Sequence, residues 1–322
     1  MRYFLIILFC IILFDCGRSD KIIATHSFDD YQATIEVNNI TRNFKVMHLT
    51  DLHLSVIDSS ESSFFPYSAR MDKAYHLPKH YITGNPGTKK DHLDEILEKA
   101  KQADVDLIVL TGDIVNNPSK SSVNYLYKVL EKSGIEYLYT AGNHDWHYEG
   151  MPGTAVELRE KWIAETLLPL YQDNDPLNYA VKYAGINFVA IDNSTYQVNT
   201  EQLDFFRNEI SKNLPTVLLC HIPIHTKSTG DRVSTCGNPS WGYDADRNYE
   251  VERRQRWSKS GNLPSTVQFV DVVKSAPNLI AVLAGHNHRS QVDTIQQNVL
   301  QYCTKPAYSG AHRLIKFRMI GD

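Results

Sequence analysis

Five short clusters carry side chains that could bind a metal or move a proton: Asp51 with His53, Asp113, Asn143-His144-Asp145, His221, and His286 with His288. Each stands directly behind an apolar run. Carboxylate, imidazole and carboxamide are the oxygen and nitrogen donors that suit borderline divalent ions such as Mn, Fe and Zn, and no thiolate stands in any cluster. Asp51 and His53, like His286 and His288, are spaced i, i+2, which puts both side chains on one side of an extended strand end. Asp113 brings two oxygens and could bridge two ions, while Asn143 and His221 add neutral donors to a second coordination sphere.

Taken singly, these clusters have bland readings: a Gly-Asp pair is commonly a turn, and a lone histidine after a strand is commonly a hydrogen-bonded residue. In this order, Asp51-x-His53, Gly112-Asp113, Gly142-Asn143-His144-Asp145, His221 and Gly285-His286-x-His288, the chain resembles the calcineurin-like metallophosphoesterases. The resemblance spans about Asp51 to His288. It implies a metallophosphoesterase-type α/β fold, a mixed β-sandwich flanked by helices. It also implies two divalent ions, one held by Asp51, His53, Asp113 and His288 and the other by Asp113, Asn143, His221 and His286.

The implied reaction is phosphoester hydrolysis, in which two ions about 3.5 to 4 Å apart activate a shared water as hydroxide and orient the phosphoryl group. His144 would then stabilise the transition state or protonate the leaving oxygen, with Asp145 orienting its ring. Asn116 occupies the position where purple acid phosphatases carry a tyrosine ligand. Ile114-Val115-Asn116-Asn117 lacks the continuation of protein Ser/Thr phosphatases, and the lipid A pathway hydrolases have arginine where His144 stands. These departures favour the phosphodiesterase-rich group that includes class III cyclic nucleotide phosphodiesterases. A phosphomonoesterase and a metal-binding scaffold without turnover are the alternatives.

The elements that must position these residues follow from periodicity. Phe44–Leu49, Asp106–Leu110, Ile135–Thr140, Thr216–Cys220 and Leu279–Leu283 read as strands, each ending at a cluster. Thr88 with Asp91, Thr154 with Glu157, and Ser265 with Gln268 have capping-box spacing ahead of helices, and Ser119–Lys132 and Thr200–Ser211 complete the helical set. Pro169 is expected to end the third helix. Lys21–Val37 suggests an edge strand, Asn178–Tyr183 and Ile186–Ile191 a hairpin, and 290–320 short sheet-finishing runs. Alternation of strand and helix gives an α/β sandwich, and in such sheets ligands sit beyond the carboxyl ends of the strands.

Two stretches break the pattern, 54–90 and 225–263, both expected as surface excursions. The second carries Trp241, Tyr243, Trp257 and the basic run Arg253-Arg254-Gln255-Arg256, and is a candidate substrate lid. Trp146, His147 and His225 are further candidates to line the site.

The chain has 322 residues, with 33 Lys+Arg against 37 Asp+Glu and a net charge of -4. That balance offers no positive field for a polyanion, so no stable nucleic-acid partner is expected. A small-molecule or lipid-like phosphoester is the expected substrate. Met1-Arg2-Tyr3 and the apolar run Phe4–Phe14 read as a secretory signal over 1–19, with the phosphoesterase domain over 20–322 and no transmembrane span in the mature chain. Export is therefore expected, with cleavage after Ser19 favoured over lipidation at Cys16. Cys220, Cys236 and Cys303 then permit at most one disulfide. Asn39-Ile40-Thr41 and Asn193-Ser194-Thr195 match the N-glycosylation pattern.

Overall fold

The computed structural model describes residues 21–229, 234–242, 253 and 259–321. The N-terminal stretch forms two strands rather than one, β1 (Ala24–Phe28) and β2 (Gln32–Val37), because Asp29 Oδ1 accepts from the amides of Tyr31 and Gln32 and turns the chain between them. β3 (Phe44–Leu49) follows. The stretch 54–90 is not structureless: Asp58 caps a short 3₁₀ turn, Ser59–Phe64, which leads into α1 (Phe65–Ala74) with proline in its first turn. Sequence reasoning missed this helix because its apolar residues lack a sustained helical period.

The next units repeat as expected. α2 (Lys89–Gln102) starts in a complete Thr88/Asp91 capping box, and β4 (Leu107–Thr111) leads to α3 (Lys120–Ser133), which stops at left-handed Gly134 before β5 (Glu136–Thr140). α4 (Ala155–Trp162) does not end at Pro169. A π-helical turn, Ile163–Leu167, intervenes, and the proline falls in the first turn of α5 (Leu168–Tyr171), where a missing N–H breaks no helical bond.

A hairpin of β6 (Asn178–Tyr183) and β7 (Ile186–Ile191), then α6 (Thr200–Ser211) and β8 (Thr216–Leu219), open the second half. α7 (Pro264–Ser275) begins with proline at its first position, and no side chain caps it. The Ser265/Gln268 box does not form, since Ser265 Oγ donates instead to Val198 O. β9 (Leu279–Ala284), β10 (Gln291–Gln296), β11 (Val299–Cys303) and β12 (Arg313–Met319) complete the fold.

The strands form two six-stranded sheets, ordered β1-β2-β12-β3-β4-β5 and β10-β11-β9-β8-β7-β6. In the first, β3, β4 and β5 run parallel, with α2 and α3 as crossovers; in the second, β7, β8 and β9 do the same with α6 and α7. The inner faces meet in an apolar layer that includes Ile35, Val46, Val109, Phe188, Val217 and Phe317. α2 and α3 cover one outer face through Leu93, Ile96, Val123 and Leu126, and α6 and α7 cover the other through Phe206 and Phe269. Burial on both faces explains why the central strands read as continuous apolar runs. Cys220, Cys236 and Cys303 are all buried. No helix of the described residues is long and apolar enough to cross a membrane.

Candidate metal centre

The parallel strands bring all five clusters to one rim. Asp51 and His53 follow β3, Asp113 follows β4, Asn143 follows β5, His221 follows β8, and His286 and His288 follow β9. The loops after β3 and β4 are joined there, with Asp51 N–H donating to Gly112 O and His53 N–H to Asp113 O, and the two sheets are linked by His286 N–H donating to the Asp51 carboxylate across 235 residues of chain. Thr50 Oγ1 donates to Asp51 Oδ2 at 2.8 Å, fixing that carboxylate further.

Turning side chains inward at this rim strains the backbone. Asp51 (φ 53°), His53 (φ 48°), Asp113 (φ 52°), His286 (φ 68°) and His288 (φ 52°) all adopt left-handed conformations. Each costs roughly 1–3 kcal/mol for a residue with a Cβ, and such strain gathers where function requires a fixed geometry. Two glycines allow the close approach. A Cβ on Gly142 would collide with Asp113 Oδ1, and one on Gly285 would collide with Thr50 Oγ1 and lie 2.7 Å from Asp51 Oδ2.

The donors fall into groups that share members: Asp51, His53 and His288; Asp113, His221 and His286; and, between them, His53, Asp113 and His144. His288 Nε2 lies 3.3 Å from Asp51 Oδ1 and 3.2 Å from His53 Nε2. Asp113 Oδ2 lies 3.2 Å from His221 Nε2 and 3.9 Å from His53 Nε2, so one oxygen faces both groups. The separations of 3.2 and 3.3 Å match the edges of a coordination sphere with bonds of about 2.0 to 2.2 Å.

The outward nitrogens are held. His53 Nδ1 meets Asn116 Oδ1 at 3.2 Å and His221 Nδ1 donates to Thr111 O at 2.8 Å, so each keeps Nε2 for the centre. Asn116 is a supporting residue that sequence reasoning treated only as an absent tyrosine; its place three residues after Asp113 was the available signal. Its Nδ2 donates to Asp72 of α1, which ties the first excursion to the site. Tyr75, just after α1, stacks on His53 with ring centroids 4.3 Å apart.

Electrostatics fit a cationic occupant. Burial opposes charge on His221, yet the Asp113 carboxylate overrides it and pushes the imidazole up to about 9. Burial likewise opposes charge on Asp113, but His221, His144 and His53 hold it well below the usual carboxylate range. Asn143 Oδ1 and His144 Nδ1 are buried without a hydrogen-bond partner, and His221 Nε2 faces the Asp113 carboxylate at 3.2 Å. Orphaned buried polar atoms cost about 1–3 kcal/mol each, and two of them on one rim beside the Asp51 and Asp113 carboxylates suit an ion-binding donor set. The residues therefore fit divalent metals.

His144 and Asp145 part company. The His144 amide donates to Asp113 Oδ1 at 2.7 Å, and its ring stands edge-on to His53 with centroids 4.7 Å apart. Asp145 does not orient that ring. Its carboxylate accepts from the amides of Asp113 (2.8 Å), Val115 (2.8 Å) and Gly142 (2.7 Å), pinning the loops after β4 and β5 together. Burial and the nearby Asp113 charge raise its pKa to about 7, with the Gly142 and Val115 amides opposing. Two backbone loops needing an acceptor outcompeted one imidazole, a preference that no side-chain pattern reveals.

The other candidates mostly pack. Trp146 is buried and donates from Nε1 to Ser194 Oγ; His147 is buried beside it. His225 Nδ1 lies 3.3 Å from the hydroxyls of Thr229 and Thr235. Trp241 is buried against Tyr196. Arg253 lies 3.6 Å from Glu149, while Tyr243, Arg254, Gln255, Arg256 and Trp257 lie outside the described residues, as does 1–19. Asn193 is fully buried with its carboxamide committed to Ile222, so the second glycosylation pattern is closed off in the folded chain.

A sandwich of two mixed sheets, with oxygen and nitrogen donors gathered at neighbouring strand ends, has the architecture of metallophosphoesterases. Residues 44–290 match the calcineurin-like phosphoesterase family, and the chain belongs to it. Among curated relatives, a probable cyclic nucleotide phosphodiesterase of Moraxella catarrhalis (strain BBH18) is 32% identical over 113 residues, which is 34% of this chain and 31% of that protein. Among solved structures, a dimetal phosphatase from Danio rerio superposes with a TM-score of 0.51 at 12% identity, covering 83% of this chain and 88% of that one. A purple acid phosphatase from yellow lupin seeds gives a TM-score of 0.47 at 13% identity, covering 87% and 47%. These structural likenesses concern the fold.

Proposed function

We propose that this chain is an exported phosphoester hydrolase with a centre for two divalent ions, acting on diesters of small or lipid-like molecules. The carrying observation is Asp113, whose Oδ2 lies between His221 Nε2 at 3.2 Å and His53 Nε2 at 3.9 Å, each nitrogen belonging to a separate donor group. Asp51, His53, Asp113 and His288 would hold one ion, and Asp113, Asn143, His221 and His286 the other. When bound, such ions supply charge neutralisation at the phosphoryl group and an acidified water.

The chain's own residues do the rest. Backbone bonds through Asp51, Asp113 and Asp145 fix the donors before substrate arrives, so little reorganisation accompanies reaction. His144 is anchored by its amide to Asp113 and leaves its ring free of side-chain partners at Nδ1, which suits it to pass a proton to the leaving oxygen. Burial of Asp51, His53, Asp113 and His221 strengthens each of these contacts, while half-buried His144, His286 and His288 face the opening.

Diester preference is supported by the motif departures at Asn116 and His144 and by the name of the Moraxella relative. Export is supported by the charged start and apolar run of residues 1–14. Metal-reconstituted protein should hydrolyse bis-p-nitrophenyl phosphate or a cyclic nucleotide faster than p-nitrophenyl phosphate. A monoester preference sinks the diesterase reading. Two bound ions without turnover on any of these would indicate a scaffold. N-terminal sequencing of material from the native host should begin near Asp20, and a lipid-modified Cys16 would refute cleavage there.

A further inference from the structure

The loop after β7, Asp192 to Tyr196, belongs to none of the five clusters, yet it touches residues beside or within three of them. Ser194 Oγ accepts from Trp146 Nε1 at 2.8 Å, directly after Asn143-His144-Asp145. Asn193 grips Ile222 in both directions, donating to its carbonyl at 2.7 Å and accepting from its amide at 2.9 Å, next to His221. Tyr196 Oη lies 2.8 Å from His286 Nε2, with the two rings edge-on at 5.4 Å.

The loop is itself built to hold this pose. Asp192 Oδ1 accepts from the Ser194 amide at 2.8 Å and its hydroxyl at 2.5 Å, and the Tyr196 amide donates to Asn193 O. Tyr196 takes φ 66°, a left-handed conformation that bulky aromatic residues rarely adopt and that costs roughly 1–3 kcal/mol. A backbone forced there needs a reason. That conformation accompanies placement of the phenol oxygen on His286 and of the ring against Trp241.

Two of the other three candidate ligand imidazoles follow one rule: His53 has Nδ1 against Asn116, His221 has Nδ1 on Thr111 O, and both keep Nε2 for the centre. In His286 the nitrogen engaged is Nε2, against Tyr196 Oη. We propose that Tyr196 is a positioning residue for the second ion. His286 Nε2–H donates to Tyr196 Oη, which leaves the lone pair on Nδ1 for the group it forms with Asp113 and His221. Asn193 serves the same ion by fixing the backbone beside His221. This inference rests on the two-ion reading above.

The test is calorimetric titration of metal-free full-length protein with Mn²⁺, for wild type, Tyr196→Phe and Tyr196→Gly. Wild type should show two binding events. Tyr196→Phe keeps the ring and the backbone pose, so the melting temperature of the metal-free protein should hold while one event weakens by about 10- to 100-fold and the other stays within about twofold. Tyr196→Gly relieves the left-handed strain and should show the same selective loss; it decides the matter alone should the phenylalanine variant not fold. Unchanged affinity for both ions in these variants overturns the role of Tyr196, as does an equal loss on both, which would mean general loosening. A wild type that takes up fewer than two Mn²⁺ overturns the two-ion reading instead, and the inference with it.

Discussion

Replacing Asp145 by asparagine separates a structural carboxylate from a catalytic one. Asp145 presents two oxygens to three buried amides, those of Asp113, Val115 and Gly142, at 2.7 to 2.8 Å. Asparagine keeps one oxygen, which satisfies two amides at most, and its NH₂ then faces the third donor to donor. The loss is one charge-assisted bond and one stranded N–H. At about 1.5–3 kcal/mol for the first and 1–3 for the second, partly offset by no longer burying a charge, a net loss of about 3 kcal/mol is expected. With an unfolding entropy of roughly 2.1 cal/mol/K per residue, that corresponds to about 5 °C in Tm. Differential scanning calorimetry of the metal-free protein measures it. The loops carrying Asp113 and Asn143 should loosen together, so activity should fall by a similar factor on aryl and alkyl esters. An unchanged Tm with a defect confined to alkyl esters would refute this reasoning and restore Asp145 as a partner of the His144 ring.

Other changes give distinct signatures. His144→Ala should keep both ions by mass spectrometry yet lose turnover by about 10² to 10⁴-fold, more on alkyl esters than on nitrophenyl esters, whose leaving group needs no proton. Asp113→Asn leaves buried histidines without their carboxylate, a change worth about 3–5 kcal/mol, so it should lose more metal than Asn143→Ala or His53→Ala; two fully occupied ions in Asp113→Asn would count against bridging. Lys89 is buried beside α1, donates to Ser55 Oγ, and burial lowers its pKa from 10.5 to about 8. Between those values the unfolded chain binds more protons than the folded one, so stability should rise with pH across that window by up to about 3 kcal/mol. In urea melts at pH 7.5 and 10, Lys89→Met should be more stable than wild type at the lower pH and should flatten this dependence; an unaltered slope would contradict the assignment.

The alternation of apolar runs and capped helices made the sandwich legible, because parallel strands buried on both faces leave continuous Val, Ile and Leu runs. That the seven ligand candidates gather at one rim was legible because each stands behind such a run. What stayed hidden was contact between remote segments. Asn116 supports His53, Asp145 spans three amides and Tyr196 reaches His286, and in no case does local spacing report the partner. The helix at Phe65–Ala74 was missed for a related reason. It is held beside the site by Asp72 to Asn116 and Asn117 and by the Arg70–Glu149 ion pair rather than by an apolar stripe.

The hydrogen bonds from His286 to Asp51 join residues 235 positions apart, and the donors come from both sheets. Such a centre exists only once both halves of the chain have folded and docked, so ions that bind it recognise the native state and ignore every partly folded one. Each ion at a hundred times its dissociation constant then adds about 2.7 kcal/mol to global stability by mass action. Metal bound there would thereby favour chains that have docked their two sheets over chains that have not.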